Sequence, residues 1–182
     1  MTVERVKHFE TQAQLLRAKV GMGDFAPINS IEFAARLNAV VIYPSGITGI
    51  NDEFLAEMEQ IDAKSWSGGA HYLPDGSLQI VLNPNQTPER QNVTILEELA
   101  HCHYGHQMTV IGSDRHRDYD PIQEQEAYQT AAAILVPSKI VAMAIYKRES
   151  IRALGLKYGA SQELLEMRIK VLGCWKDYSN AA

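Results

Sequence analysis

"NVTILEELAHCHYGH", Asn92 to His106, has the rhythm of a helix and sets acids and histidines on a largely apolar background. Leu96, Leu99 and Ala100 recur at i, i+3 and i+4, a stripe that can face a core. Glu97 and His101 stand four apart and share one side of the helix beside that stripe. Glu98 is one residue round and within a turn of His101. Just upstream, Thr87, Pro88 and Glu89 supply an N-cap, a proline at the first helical position and an early acid, so they start this helix.

The chemistry of the stretch follows from its spacing. A helix that holds zinc through the pattern H-E-x-x-H needs two ligands four apart and a general-base Glu just after the first. Here the string is "EELAH": base and second ligand are in place, and the first ligand position holds Glu97. A carboxylate coordinates zinc at about the same distance as an imidazole, roughly 2.0 to 2.2 Å. A site of two glutamates and one histidine is more negative than one of two histidines and one glutamate. The bound metal is then a weaker Lewis acid, and harder ions such as manganese compete better with zinc. Glu98 and His101 also form an E-x-x-H pair of the di-iron bundle kind, but no second such motif is present.

Working outward, Val3 to Val20 reads as a helix ended by the turn "GMGD", and Ser30 as the N-cap of a shorter helix to Leu37. "NAVVIYP" is a short β-branched strand. "SGITGIN" is a loop, and Asn51 caps a helix through Glu59. "WSGGAHYL" and "SLQIVLN" are strand-like runs joined by Pro74, Asp75 and Gly76, which is hairpin chemistry. Beyond the central helix, Gly105 to Asp120 reads as a polar loop, Pro121 opens a helix through Ile134, Pro137 punctuates it and Ser138 caps the next. The order predicts an α+β fold: a small, mostly antiparallel three-stranded sheet, a zincin-like active-site helix and a helical C-terminal part.

Composition narrows the function classes. A chain of 182 residues with 46% hydrophobic and 21% charged content suits one globular core. A net charge of −5 offers no global field to nucleic acid or an anionic membrane surface. The first twenty residues lack the apolar core of a signal peptide, and the apolar region Ala131 to Ile145 is broken by Pro137, Ser138 and Lys139, which argues against a membrane span. Cys102 and Cys174 are too few for a disulfide framework, which fits a reducing, cytoplasmic compartment.

Three stretches together resemble the ImmA/IrrE family of metallopeptidases. "INSIEFAARLNAVVIYP" is similar to the family's short helix leading into a strand, and "SGGAHYLPDGSLQIVLNPNQTPERQNVTILEELAH" to its hairpin feeding the active-site helix. "EAYQTAAAILVP" resembles its pattern Glu-Ala-Asn-x-Phe-Ala-x-x-Leu-Leu-x-Pro, with spacing, composition and the closing Pro137 in agreement. The resemblance implies a gluzincin-like metal site, a water activated by the motif Glu, and repressor proteins of phages, mobile elements or stress regulons as substrates. Carried over residue by residue, Glu98 matches the general base, His101 the second ligand and Glu126 the glutamate ligand. Glu97 stands where the first histidine is usual, and Tyr128 and Thr130 where the family usually has Asn and Phe.

Neighbouring groups are auxiliaries. His103 continues the apolar stripe and reads as a satisfied core-edge histidine. His106 lies about 140° round an ideal helix from His101, so only a break at Gly105 makes it a reserve ligand. His71, on a strand before the hairpin, is a candidate oxyanion donor, with a surface hydrogen bond as the plainer reading. Glu124 is about 200° from Glu126 on its helix, so only one of the two is expected to face the site; the family spacing favours Glu126.

The tail "ESIRALGLKYGASQELLEMRIKVLG" has helix-turn-helix rhythm, with Gly159 at the turn, Ser161 as N-cap and local basic charge from Arg148, Arg152, Lys157, Arg168 and Lys170. The acidic whole favours packing or protein docking there over DNA contact. The organisation expected is a metallopeptidase-like domain over residues 1–146 and C-terminal helices over 147–182, packed on the same domain. The function expected is zinc-dependent, or manganese-dependent, hydrolysis of a partner protein. The alternative is a catalytically silent relative that acts by binding a repressor or antitoxin-like partner.

Overall fold

The computed structural model describes residues 1–47, 51–60, 66–106 and 120–181. The expected polar loop between Gly105 and Asp120 lies outside them, apart from its ends, as does part of "SGITGIN".

The chain begins with α1 (Val3–Lys19), capped by Thr2 and followed by Gly21 at positive φ, and then α2 (Ser30–Arg36). Asn29, not Ser30, caps α2: its Oδ1 accepts from the amides of Ile31 and Glu32, while Ser30 is buried at the first helical position. Strand β1 (Ala39–Ile42), a single 3-10 turn (Pro44–Gly46) and α3 (Asp52–Gln60) follow. Then come β2 (Gly68–Tyr72) and β3 (Leu78–Leu82), whose turn is held by the Asp75 carboxylate accepting from the Ser77 amide and hydroxyl.

The sheet has the order β1-β3-β2, with β2 antiparallel and β1 parallel to the central β3. It is therefore mixed, which corrects the mostly antiparallel expectation. A hairpin fixes the sense of β2 and β3, whereas β1 arrives from outside the hairpin and was free to pair either way. Central position explains why β3 reads as a continuous apolar run: Ile80, Val81 and Leu82 are all buried. Gly68 is required by close approach, because a Cβ there would meet Thr94 Cγ2 at 2.7 Å and the Val81 carbonyl oxygen at 2.9 Å.

Helix α4 (Pro88–Tyr104) is capped by the Thr87 hydroxyl, which accepts from the Arg90 amide. It packs on the sheet, on α2 and along α5 (Pro121–Leu135), and α5 also lies against α1. Val93, Ile95, Leu96, Leu99 and Ala100 are all buried, and each large member contributes about 1.5–3 kcal/mol. The apolar run from Ala131 to Val136 is buried throughout, and α6 (Ser138–Lys147) leaves α5 at 48°. Among the described residues no single helix is long and apolar enough to cross a membrane. The Ser138 hydroxyl does not cap α6; its amide instead donates to Glu10 Oε2 of α1 at 2.9 Å.

In the tail, α7 (Ile151–Tyr158) turns at Gly159 into α8 (Gln162–Val171), capped by Ser161, and α9 (Trp175–Ala181) follows. Leu154, Tyr158, Leu164, Leu165 and Ile169 join the cluster that contains Leu96 and Ile134. Two buried arginines stitch this core at the end of α5. Arg17 Nη1 donates to the Ile134 carbonyl at 2.6 Å, and its Nη2 donates to the carbonyls of Gly23 and Ala26. Arg168 Nε donates to the Val136 carbonyl at 3.1 Å, and its Nη2 pairs with Glu10. Burial holds the Arg17 guanidinium below its ordinary pKa, opposed by the nearby Asp24 and Tyr158.

Candidate metal centre

Among the polar groups of α4, His101 faces α5, with its Nε2 3.6 Å from Glu124 Oε1. Glu98 and His101 are nearly inaccessible, at 7% and 2%. Burial of two such side chains on one helix requires polar partners, and α5 with the end of α4 provides those of His101.

The break that sequence allowed at Gly105 is real. Gly105 has φ +70, its amide donates to the Cys102 carbonyl, and the His106 amide donates to the His101 carbonyl at 2.9 Å. This left-handed cap folds the chain back, so that His106 Nδ1 lies 3.0 Å from His101 Nδ1, their ring centroids 5.1 Å apart. His106 stacks on Tyr104 at 5.2 Å and 15°, and the Tyr104 hydroxyl shares a 2.8 Å hydrogen bond with Thr130 Oγ1. Placing a Cβ in this left-handed conformation costs about 1–2 kcal/mol, so Gly105→Ala is expected to lower stability by that amount and to loosen His106. The check is a melting curve together with the His106 ring proton shifts by NMR.

The two outer ring nitrogens face carboxylates. His101 Nε2 is 3.6 Å from Glu124 Oε1, and His106 Nε2 is 3.5 Å from Glu126 Oε2. Both α5 acids therefore reach the cluster, contrary to the expectation that only one would. The helical-wheel argument assumed one target on one face. His106, displaced beyond the end of α4, offers a second target to the other flank of α5. Glu126 meets His106, and it is Glu124 that meets His101.

Glu97 takes another direction. Its Oε2 is 4.0 Å from Arg90 Nη2, two turns earlier on the same helix, and Arg90 also donates to Ser67 Oγ at 3.0 Å. Tyr128 lies close enough to feel both charges: burial raises its phenol pKa most, Arg90 lowers it and Glu97 raises it. The unusual residues at 97 and 128 are thus neighbours across the α4–α5 contact. His103 is exposed and satisfied, with Nε2 2.7 Å from Gln12 Oε1, and burial together with Lys19 and His8 lowers its pKa. His71 sits on edge strand β2 in register with Gln79, outside the His101–His106 ring contact and its two ion pairs. Arg90, Tyr104 and Thr130 were not singled out from sequence. Arg90 could have been, because seven residues return to the same face of a helix.

The donor set fits a divalent ion in chemistry. It offers imidazole nitrogen and carboxylate oxygen, ligands that first-row metals accept, and the 3.6 and 3.5 Å separations are close to the ~3.4 Å edge of a tetrahedral site with bonds of about 2.0–2.1 Å. Among the described residues no three His, Cys, Asp or Glu side chains close on one point. Each ring directs its two nitrogens to different partners, so the donors stand in pairs.

The model of the family described as the IrrE N-terminal-like domain, Peptidase_M78, matches residues 52–170. Among solved structures, a Mycobacterium tuberculosis transcriptional regulator is similar at a TM-score of 0.55 and 15% identity, over 90% of this chain and 46% of that one. This chain thus spans less than half the length of that regulator, and the likeness is one of fold. No curated protein matches.

Proposed function

Because the chain belongs to the IrrE N-terminal-like, Peptidase_M78 family, we propose that it is a metal-dependent endopeptidase acting on another protein, a repressor of a phage, mobile element or stress regulon in the cytoplasm. The observation that carries the reading is the burial of Glu98 and His101 side by side on α4, with His101 facing an acid of α5. Buried titratable groups of this kind cluster at functional sites. His101 would hold the ion, zinc before manganese. A bound divalent ion supplies Lewis-acid polarisation of the scissile carbonyl. Glu98 supplies the proton traffic: its carboxylate accepts a proton from the attacking water and returns it to the leaving amine.

A second reading has its own observation. The Glu97–Arg90 pair places a charge-neutralised couple where the family's first histidine would otherwise work, and this suits a relative that binds its repressor without cutting it. The deciding experiment incubates the zinc-loaded protein with the repressor encoded nearest its gene. Cleavage abolished by a chelator and restored by zinc is expected. A stable uncut complex would establish the binding reading instead, and neither cleavage nor complex would overturn both.

A further inference from the structure

The basic charge of the tail, which the sequence spreads along one stretch, is divided unequally between its helices. On α8 little of it is free: Arg168 is buried against the Val136 carbonyl and Glu10, and Lys170 lies 3.6 Å from Glu166 and over the Trp175 ring. The cations Lys147, Arg148, Arg152 and Lys157, at the end of α6 and on α7, are all exposed. None of them forms an ion pair among the described residues. The one acid within 146–157, Glu149, is half-buried with its Oε2 enclosed.

Helix α7 gives that charge a pattern. Leu154 and Tyr158 face the core, and the exposed positions Arg152, Leu156, Ala153 and Lys157 follow one another, in that order, across an arc of about 140° on an ideal helix. Leu156 and Ala153 form the apolar middle of the arc, and a cation stands on each edge. Leu156 is 81% exposed and Tyr146, at the end of α6, is 88% exposed, the two barest large apolar side chains among the described residues. Arg148, two residues before the Ser150 cap of α7, closes α6 in the left-handed conformation at φ +55, where glycine is the usual residue. A further cation therefore stands there at a backbone cost.

We propose that α7 and the end of α6 dock an acidic segment of the partner protein, one that sets apolar side chains between its carboxylates. Charge complementarity carries the choice. The four cations stand on a chain of net charge −5, so an acidic segment is attracted here and repelled by the molecule as a whole, which fixes where it lands. Its apolar side chains cover Leu156 while its carboxylates meet the arginine and lysine on either edge. A DNA duplex fits less well, because α8, the helix in the recognition position, offers it the exposed Glu163 and the half-buried Glu166. A membrane surface fits less well too, since a leucine and a tyrosine give it little apolar area. The docking surface rests on the partner-protein reading above, and on no metal.

The test titrates a labelled peptide of glutamates with interspersed leucines, and its glutamine counterpart, into metal-free wild type, Arg152→Glu/Lys157→Glu and Leu156→Ser. Fluorescence anisotropy reads the binding, and melting curves check the fold of the variants. A labelled DNA duplex and phosphatidylglycerol vesicles are run beside the peptides. Wild type is expected to bind the acidic peptide in preference to the glutamine one, and to release it as salt is raised. The double charge reversal is expected to weaken binding about tenfold or more, since each exposed ion pair lost is worth up to about fivefold. Leu156→Ser is expected to weaken it about threefold or more through lost apolar contact. No binding of the acidic peptide by wild type at low salt, or equal binding by the double variant, would overturn the docking surface. So would a duplex or vesicles bound more tightly than the peptide and lost in the same variants, which would assign this face to nucleic acid or membrane. The titrations need neither metal nor hydrolysis, so such a failure leaves the peptidase reading standing. Peptide binding by a protein that neither cuts nor holds a repressor removes that reading and keeps the surface for another protein partner.

Discussion

Glu98→Gln, loaded with zinc, is expected to retain the metal of the wild type and to cleave its protein substrate about 10²–10⁴-fold more slowly, the usual contribution of a positioned general base. Glutamine keeps the shape of the side chain and loses only the ability to accept a proton, so the loss should fall on kcat and leave substrate binding in place. Single-turnover cleavage against substrate concentration measures the split. The same variant reports on stability. Glu98 is 7% exposed, so urea unfolding of the variant also measures how much its charge matters to the fold. Cleavage within tenfold of wild type would remove Glu98 from the proposed chemistry, and a large drop in stability would make it a structural ion partner.

The second large effect lies far from the site. Arg168→Met is expected to destabilise the protein by about 3 kcal/mol, because it leaves a carboxylate and a carbonyl at the end of α5 without their donor. Arg168 is 1% exposed and joins the Val136 carbonyl to Glu10. Glu10 keeps the Ser138 amide, which places the loss at the low end for broken buried pairs. Urea unfolding of Arg168→Met, Glu10→Gln and the double variant gives the coupling directly. A loss under about 1 kcal/mol for Arg168→Met, the level of an exposed pair, would show that water reaches the pair and that it does little for the fold.

These two residues also mark what could be read without coordinates. The helix that carries Glu98 was legible because the signal is local: a capping threonine, a proline and an apolar stripe all lie within a few turns. Arg168 was not. By composition it counted toward a basic surface, yet it is buried, and its partners are 32 and 158 residues away. Nothing local distinguishes an arginine that caps a distant helix from one in water. The sense of β1 was illegible for a related reason, since pairing with either edge or direction satisfies the same short β-branched run. At the site, the ideal helix correctly kept His106 away from His101 until Gly105 broke it. The glycine was visible in sequence; the distance it closed was not. For Glu124 the wheel misled, because a wheel assigns one direction to a flexible side chain and cannot foresee a second target past the helix end.

The arginines at the end of α5 have a consequence for the order in which the protein is made. The carbonyls of Ile134 and Val136 close the helix that carries Glu124 and Glu126, and one of their two donors is Arg168. A nascent chain that has delivered Glu98, His101, His106 and both α5 acids still lacks that donor, and Glu10 waits for it across 158 residues. Closure over so long a separation comes late in folding. The two acids of α5 are thus synthesised before the arginine that holds the end of their helix, and that hydrogen bond joins the tail to the helix on which they stand.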